Sequence, residues 1–217
     1  QTCALPISGH ENAPAMVTWQ GSKVSWQEFL DKSYTNALLI VRNGVVTYQY
    51  YKDGFTPTTR LPSYSVGKTM LSIVVGQLVA EGKIKESDTF VSYFPEYKTG
   101  GSFDKITIQQ LLDMQSGVGV SDNYPSGPSG WGVAIAQMYA STDIHWFLKH
   151  NQKMAFEPGS KAEYRSVDPQ MLGMVVKKVT GMSISDYFSK NVWQPVGALT
   201  AATWNVDRQN GIEKTFC

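Results

Sequence analysis

The 217 residues carry a formal net charge of +1, with 42% hydrophobic and 17% charged side chains. That balance excludes a basic field for nucleic acid, an acidic tail and a disordered chain, and the length suffices to bury a substantial core. The best apolar stretch, residues 70–79, is broken by Ser72, Gly76 and Gln77, so no membrane span is expected.

In chain order, the opening Gln1-Thr2-Cys3-Ala4-Leu5-Pro6-Ile7 looks like a translated sequencing adapter. Residues 1–9 are therefore read as non-native, the true amino terminus as missing, and the compartment as open. Trp26-Gln27-Glu28-Phe29-Leu30 reads as a short helix. The β-branched and aromatic runs 37–41 and 45–51 flank Asn43-Gly44, a strong hairpin signal. From Ser65 the pattern turns helical: residues 65–81 closed by Gly82, then 107–114 opened by the capping box Thr107-Ile108-Gln109-Gln110. Residues 117–132 are too rich in Gly and Pro for regular structure and read as a long loop. Its aromatics Tyr124 and Trp131 tilt that loop towards covering a site. Helices follow over 133–139, 143–149, 168–179 with Gly181 as the stop, and 183–191 behind the box Ser183-Ile184-Ser185-Asp186.

Chemistry enters at Ser65-Val66-Gly67-Lys68. On a helix, residues three apart share a face, which puts hydroxyl and amine within hydrogen-bonding reach. A serine hydroxyl must lose its proton to a neighbouring base as it attacks, and an amine serves where an apolar helix and its N-terminal dipole disfavour the ammonium. A second copy, Ser102-Phe103-Asp104-Lys105, leads into no apolar helix and reads as a solvated turn. Of the three histidines, His10 lies in the doubtful start and His145 and His150 belong to an amphipathic helix as structural residues. No Gly-x-Ser-x-Gly elbow and no His-Glu-x-x-His pair occurs. A serine hydrolase of this composition takes its base from lysine or tyrosine. The terminal cysteines Cys3 and Cys217 carry no signal, and neither a metal nor a cofactor is implied.

Among the tyrosines, Tyr164 has a telling context: Pro158-Gly159 leads to Tyr164-Arg165-Ser166 and then to Met171-Leu172-Gly173. With Leu111-Leu112-Asp113-Met114-Gln115-Ser116-Gly117, Val179-Thr180-Gly181 and Gln194-Pro195-Val196-Gly197, the chain from about residue 38 onward resembles the class C β-lactamase, penicillin-binding and serine esterase family. It is most similar to the branch of aminohexanoate-oligomer hydrolases. The triplet Ser121-Asp122-Asn123 spells a class A β-lactamase motif, but there it begins a helix; Tyr124-Pro125-Ser126-Gly127-Pro128 follows here, so the match is read as coincidence.

The resemblance implies an α+β, β-lactamase/transpeptidase-like fold. An antiparallel sheet is flanked by helices, with a helical subdomain over about 85–180. It implies a serine hydrolase cleaving amide or ester bonds of small molecules through an acyl-enzyme. Ser65 is the nucleophile, Lys68 and Tyr164 share the proton work, and Tyr124, Ser166 and Trp131 meet substrate. Ser166 stands where true β-lactamases carry asparagine, which counts against antibiotic hydrolysis. A penicillin-binding DD-carboxypeptidase or β-lactamase, or a non-catalytic relative that binds peptide or cell-wall fragments, stays open as an alternative, though retention of Ser65, Lys68 and Tyr164 together argues against the last. The family's third motif, a Lys-Thr-Gly or His-x-Gly strand, has no counterpart before Cys217. Residues 10–217 are accordingly expected to be an incomplete catalytic domain that lacks its last strands and turns over no ester by itself.

Overall fold

Asn43 and Gly44 both take positive φ, +50° and +77°, and Arg42 pairs with Val45 across them. This is the I′ geometry whose twist matches the flanking strands. It joins β3 (Ala37–Arg42) to β4 (Val45–Tyr51) in an antiparallel pair, with a register irregularity at Ile40/Val41. Ahead of it, β1 (Met16–Trp19) and β2 (Ser22–Ser25) form a second antiparallel pair. Ser25 then caps α1 (Trp26–Lys32), its Oγ accepting the Glu28 N–H at 3.1 Å. On α1, Leu30 is fully buried, and Trp26 donates its indole N–H to the Tyr48 hydroxyl at 2.8 Å.

The computed structural model describes residues 13–123 and 133–217. These divide into two units, 13–61 with 196–201, and 62–195 with 202–217. The strands above belong to the first. Among the described residues the strands form these two two-stranded sheets and a few isolated bridges.

The second unit is helical. After a 3₁₀ turn over Tyr64–Val66 come α2 (Gly67–Ala80), the short α3 (Phe90–Tyr93) and α4 (Ile108–Leu112). Then follow α5 (Ala134–Ala140), α6 (Ile144–His150), α7 (Val167–Thr180) and α8 (Ile184–Phe188). Helix α2 buries Leu71, Val74, Val75 and Leu78, the i, i+3, i+4, i+7 stripe of a helix with one apolar face. That stripe packs on α7, whose Met171, Met174, Val175 and Val176 are themselves inaccessible. The capping box at Thr107 and Gln110 forms as the sequence predicts. At Ser183 only half of one does: its Oγ accepts from Asp186 N–H, while the Asp186 carboxylate takes the serine hydroxyl. The carboxyl-terminal residues lie along α7: Thr215 donates its N–H to Gln170 Oε1 (3.1 Å) and its hydroxyl to the Pro169 carbonyl (2.8 Å), and Phe216 is fully buried.

The sequence pattern predicts a helix from Ser65, but Ser65 occupies the 3₁₀ turn and α2 starts at Gly67. Tyr64 before it holds φ at +44°, a left-handed conformation that costs a bulky residue energy and turns the chain sharply into α2. The serine therefore stands on a bent lead-in rather than on a helical face.

At the head of α7, Asp168 is wholly buried with its carboxylate accepting from the Ser116 N–H (3.3 Å) and hydroxyl (2.5 Å). Burial, the largest influence, pushes its pKa up to about 7 against those donors and the nearby Arg165 guanidinium.

Leu78→Ala is expected to lower the unfolding free energy by about 2–5 kcal/mol, the cost of a cavity in a closed core, read as a fall in urea midpoint at unchanged slope. A loss near zero would contradict the burial of this stripe. Asp168, with its folded pKa above the unfolded value, keeps its proton in the folded state where the unfolded chain has lost it. Its contribution to stability is therefore complete below the unfolded pKa of about 4 and declines as pH rises through about 7. Relative to Asp168→Asn, the wild type is expected to lose on the order of a few kcal/mol across that window; parallel pH–stability curves for the two proteins would contradict it.

Candidate active site

Helix α2 begins with Gly67-Lys68, and Lys68 points back across the helix start to the 3₁₀ turn. Its Nζ donates to Ser65 Oγ at 2.9 Å and to the backbone carbonyl of Phe216. That carbonyl is delivered by the segment that Thr215 fastens to α7. Tyr164, ninety-nine positions from the serine, donates its hydroxyl to the same Ser65 Oγ at 2.6 Å, and the Lys68 nitrogen stands 5.0 Å from its ring centroid. Heavy-atom positions do not assign the hydroxyl protons, so the same short contact serves Ser65 donating towards the phenol oxygen. Ser65 is exposed, Tyr164 is half-exposed and Lys68 is half-buried. An open cavity of about 210 Å³, bordered by Lys68, Thr69, Ser72, Leu112, Met114 and Leu172, adjoins the lysine.

No helix or strand holds Tyr164. The backbone around it is fastened instead to residues 114–122, which also lack regular structure. The Glu163 N–H donates to the Met114 carbonyl at 2.9 Å. Arg165, buried, donates to the Val118 carbonyl at 2.7 Å, pairs with the Glu163 carboxylate and lies over the Phe156 ring at 5.0 Å. Ser166 gives its N–H and its hydroxyl to the two oxygens of Asp122, each at 2.6 Å. On the far side, residues 117–119 pair with 153–155: the Ala155 N–H donates to the Gly117 carbonyl and the Gly119 N–H to that of Lys153, each at 2.7 Å. Only glycine fits at 117, where φ is +77° and a Cβ would lie 2.2 Å from the Phe156 carbonyl oxygen.

The structure thus brings Ser65, Lys68 and Tyr164 to one point. Ser166 is two residues from the tyrosine, but its hydroxyl is engaged by Asp122 and not by the lysine. Tyr124 and Trp131 lie outside the described residues. His145 shares Nδ1 with the Tyr97 hydroxyl at 2.9 Å, and His150 stacks on Trp146; neither bonds to Ser65. The second Ser-x-x-Lys copy forms a 3₁₀ turn anchored by the buried Phe103, in which Ser102 donates to Glu157. Among the described residues no group of His, Cys, Asp and Glu could hold a metal, and no helix is long and apolar enough to cross a membrane.

Three contributors escape sequence reasoning. The Phe216 carbonyl carries no side-chain signature. The Ser116–Asp168 pair joins residues fifty-two apart. Asp122 stands in the triplet read as coincidence; residues 121–123 have no regular structure, and the aspartate is engaged in this site's framework.

The family description Beta-lactamase matches residues 29–212. A 6-aminohexanoate-dimer hydrolase of Paenarthrobacter ureafaciens is 28% identical over 192 residues, 84% of this chain and 47% of its own length. An Escherichia coli K12 protein described as a D-alanyl-D-alanine carboxypeptidase is 28% identical over 131 residues, 59% of this chain and 30% of its own. Among solved structures, a Bacillus anthracis protein described as a 6-aminohexanoate-dimer hydrolase superposes with a TM-score of 0.82 at 25% identity, covering 96% of this chain and 57% of that one. The chain spans about half or less of the length of these curated relatives. A match over most of the sequence, with the fold of its solved relatives, makes this chain a member of the beta-lactamase family.

Proposed function

We propose that this chain carries the nucleophilic centre of a serine hydrolase that cleaves amide or ester bonds of small molecules through an acyl-enzyme. One observation carries the reading: a single serine oxygen lies 2.9 Å from a lysine nitrogen and 2.6 Å from a tyrosine oxygen at an exposed position. Relatives named as hydrolases of an amide-linked dimer support it.

In this scheme Ser65 Oγ attacks the substrate carbonyl carbon as its proton passes to the Lys68–Tyr164 pair. The tetrahedral adduct collapses, and the leaving amine or alcohol takes that proton away. Water then attacks the ester on Ser65 as it gives a proton to the same pair; the adduct collapses, the pair returns that proton to the departing Ser65 Oγ, and the acid and the free serine are released. Coupled groups of this kind act as one unit, so the proton belongs to the pair rather than to either member. The Phe216 carbonyl fixes the lysine nitrogen whether it is an amine with two N–H groups or an ammonium with three. The mostly apolar border of the cavity beside Lys68 suits an uncharged alkyl or acyl portion of a substrate. Tyr124 and Trp131 join the proposal as substrate contacts on the family resemblance. Ser166 joins it through the backbone it steadies.

A fluorophosphonate probe applied to the full-length gene product is expected to modify Ser65, located by peptide mass spectrometry. Ser65→Ala is expected to abolish the adduct. Lys68→Ala and Tyr164→Phe are each expected to slow its formation by about 100-fold or more, the scale of a lost general acid–base group. Modification elsewhere, or an unaltered rate in Tyr164→Phe, would falsify the assignment. Rapid, lasting acylation of Ser65 by penicillin would shift the substrate class towards cell-wall peptides.

A further inference from the structure

We propose that Asp122 is a positioning residue that aims Tyr164 at Ser65, an inference that rests on the Ser–Lys–Tyr centre proposed above. Tyr164 lies in irregular backbone, so no helical or sheet ladder determines where its ring goes. Its placement depends on the anchors to either side. On the amino-terminal side, the Glu163 N–H is bonded to the Met114 carbonyl. On the carboxyl-terminal side, Asp122 takes both donors of Ser166, the backbone N–H on Oδ2 and the hydroxyl on Oδ1, each at 2.6 Å. A carboxylate that accepts a backbone and a side-chain donor from one residue fixes that residue's backbone and rotamer together, through charge-assisted bonds. Two residues from the phenol, this restricts the arc through which the ring can swing. A displacement of about 1 Å between reacting groups can cost on the order of 100-fold in rate.

The neighbouring anchors differ in kind. Arg165 and the Ser116–Asp168 pair are buried, and their removal would open the core. Asp122 is only part-buried. Both of its oxygens are committed to Ser166, so it influences the reaction through the backbone rather than by touching the reacting atoms.

The test is a double-mutant cycle on the full-length gene product, reading the rate of fluorophosphonate addition to Ser65 beside thermal unfolding. Asp122→Ala is expected to slow addition by about 10–100-fold. Asp122→Asn can accept the N–H through Oδ1 and donate to the serine hydroxyl through Nδ2, and is expected to stay within about 3-fold of wild type. In a Tyr164→Phe background, Asp122→Ala is expected to add less than about 3-fold, because residues acting through one group lose additivity. An Asp122→Ala rate equal to wild type, or a loss of the same size with and without the tyrosine hydroxyl, overturns the inference while leaving the centre intact. A wild-type rate in Tyr164→Phe, or no adduct on Ser65, sinks the centre itself and the inference with it. Should Asp122→Ala fail to fold, Ser166→Ala, which removes one of the two bonds, replaces it in the cycle. Its expected loss is about 3–10-fold, again absent from the Tyr164→Phe background.

Discussion

The packing of α2 on α7 is the constraint from which the rest of the second unit follows. Each helix presents an apolar stripe that cannot remain in water, and at about 25 cal/mol per Å² of buried apolar surface their mutual burial outweighs any single polar contact in the site. The consequence is chemical because of what lies at the helix starts. Ser65 and Lys68 stand at the head of α2, and Tyr164 comes three residues before α7. Seating one helix on the other brings the two lead-in segments together, and the carboxyl-terminal residues fastened along α7 add the Phe216 carbonyl.

A packed helix pair determines where the lead-ins run to within a few ångströms, whereas proton transfer needs hydrogen-bond distances. The finer placement falls to a polar framework between residues 114–122 and 163–168. Apart from the short pairing of 117–119 with 153–155 and the start of α7, these segments have no regular structure, so their backbone groups and buried side chains bond across to each other. Asp122 accepts from Ser166 and Asp168 from Ser116, Arg165 donates to the Val118 carbonyl, and the glycine at 117 permits the close approach to Phe156. Such networks are strong when every member is satisfied and costly when one is lost, since the low local dielectric magnifies both outcomes. Asp168 shows the tension: the donors around it favour the carboxylate, yet removal from water weighs more and holds its pKa near neutrality.

The bend at Ser65 belongs to the same picture. A serine on a regular helical face would keep its hydroxyl close to the helix backbone, where hydroxyls readily bond to carbonyls of the preceding turn. The left-handed Tyr64 and the 3₁₀ turn lift Ser65 clear, at some conformational cost, to a position where lysine and tyrosine approach the same oxygen.

Local chemistry was enough to read much of this protein from its residues alone. Asn43-Gly44 dictates a hairpin because so few residue pairs accept two positive φ values. Thr107 and Gln110 announce a helix start because their side chains replace missing backbone partners. An apolar run closed by Gly82 locates α2, the stop at Gly181 locates the end of α7, and Ser65, Lys68 and Tyr164 are legible as residue types in motif contexts. What lay beyond the sequence has one physical origin: interactions between residues distant along the chain leave no periodic or local trace. The meeting of Tyr164 with Ser65, the choice of a backbone carbonyl at Phe216 as the lysine's partner, the engagement of Ser166 by Asp122 and the burial of Asp168 were decided by which surfaces the folded chain brought into contact. Sequence determined the chemical groups and the elements that carry them. Tertiary packing alone decided their distances, because only burial of the helix stripes converts separation along the chain into proximity in space.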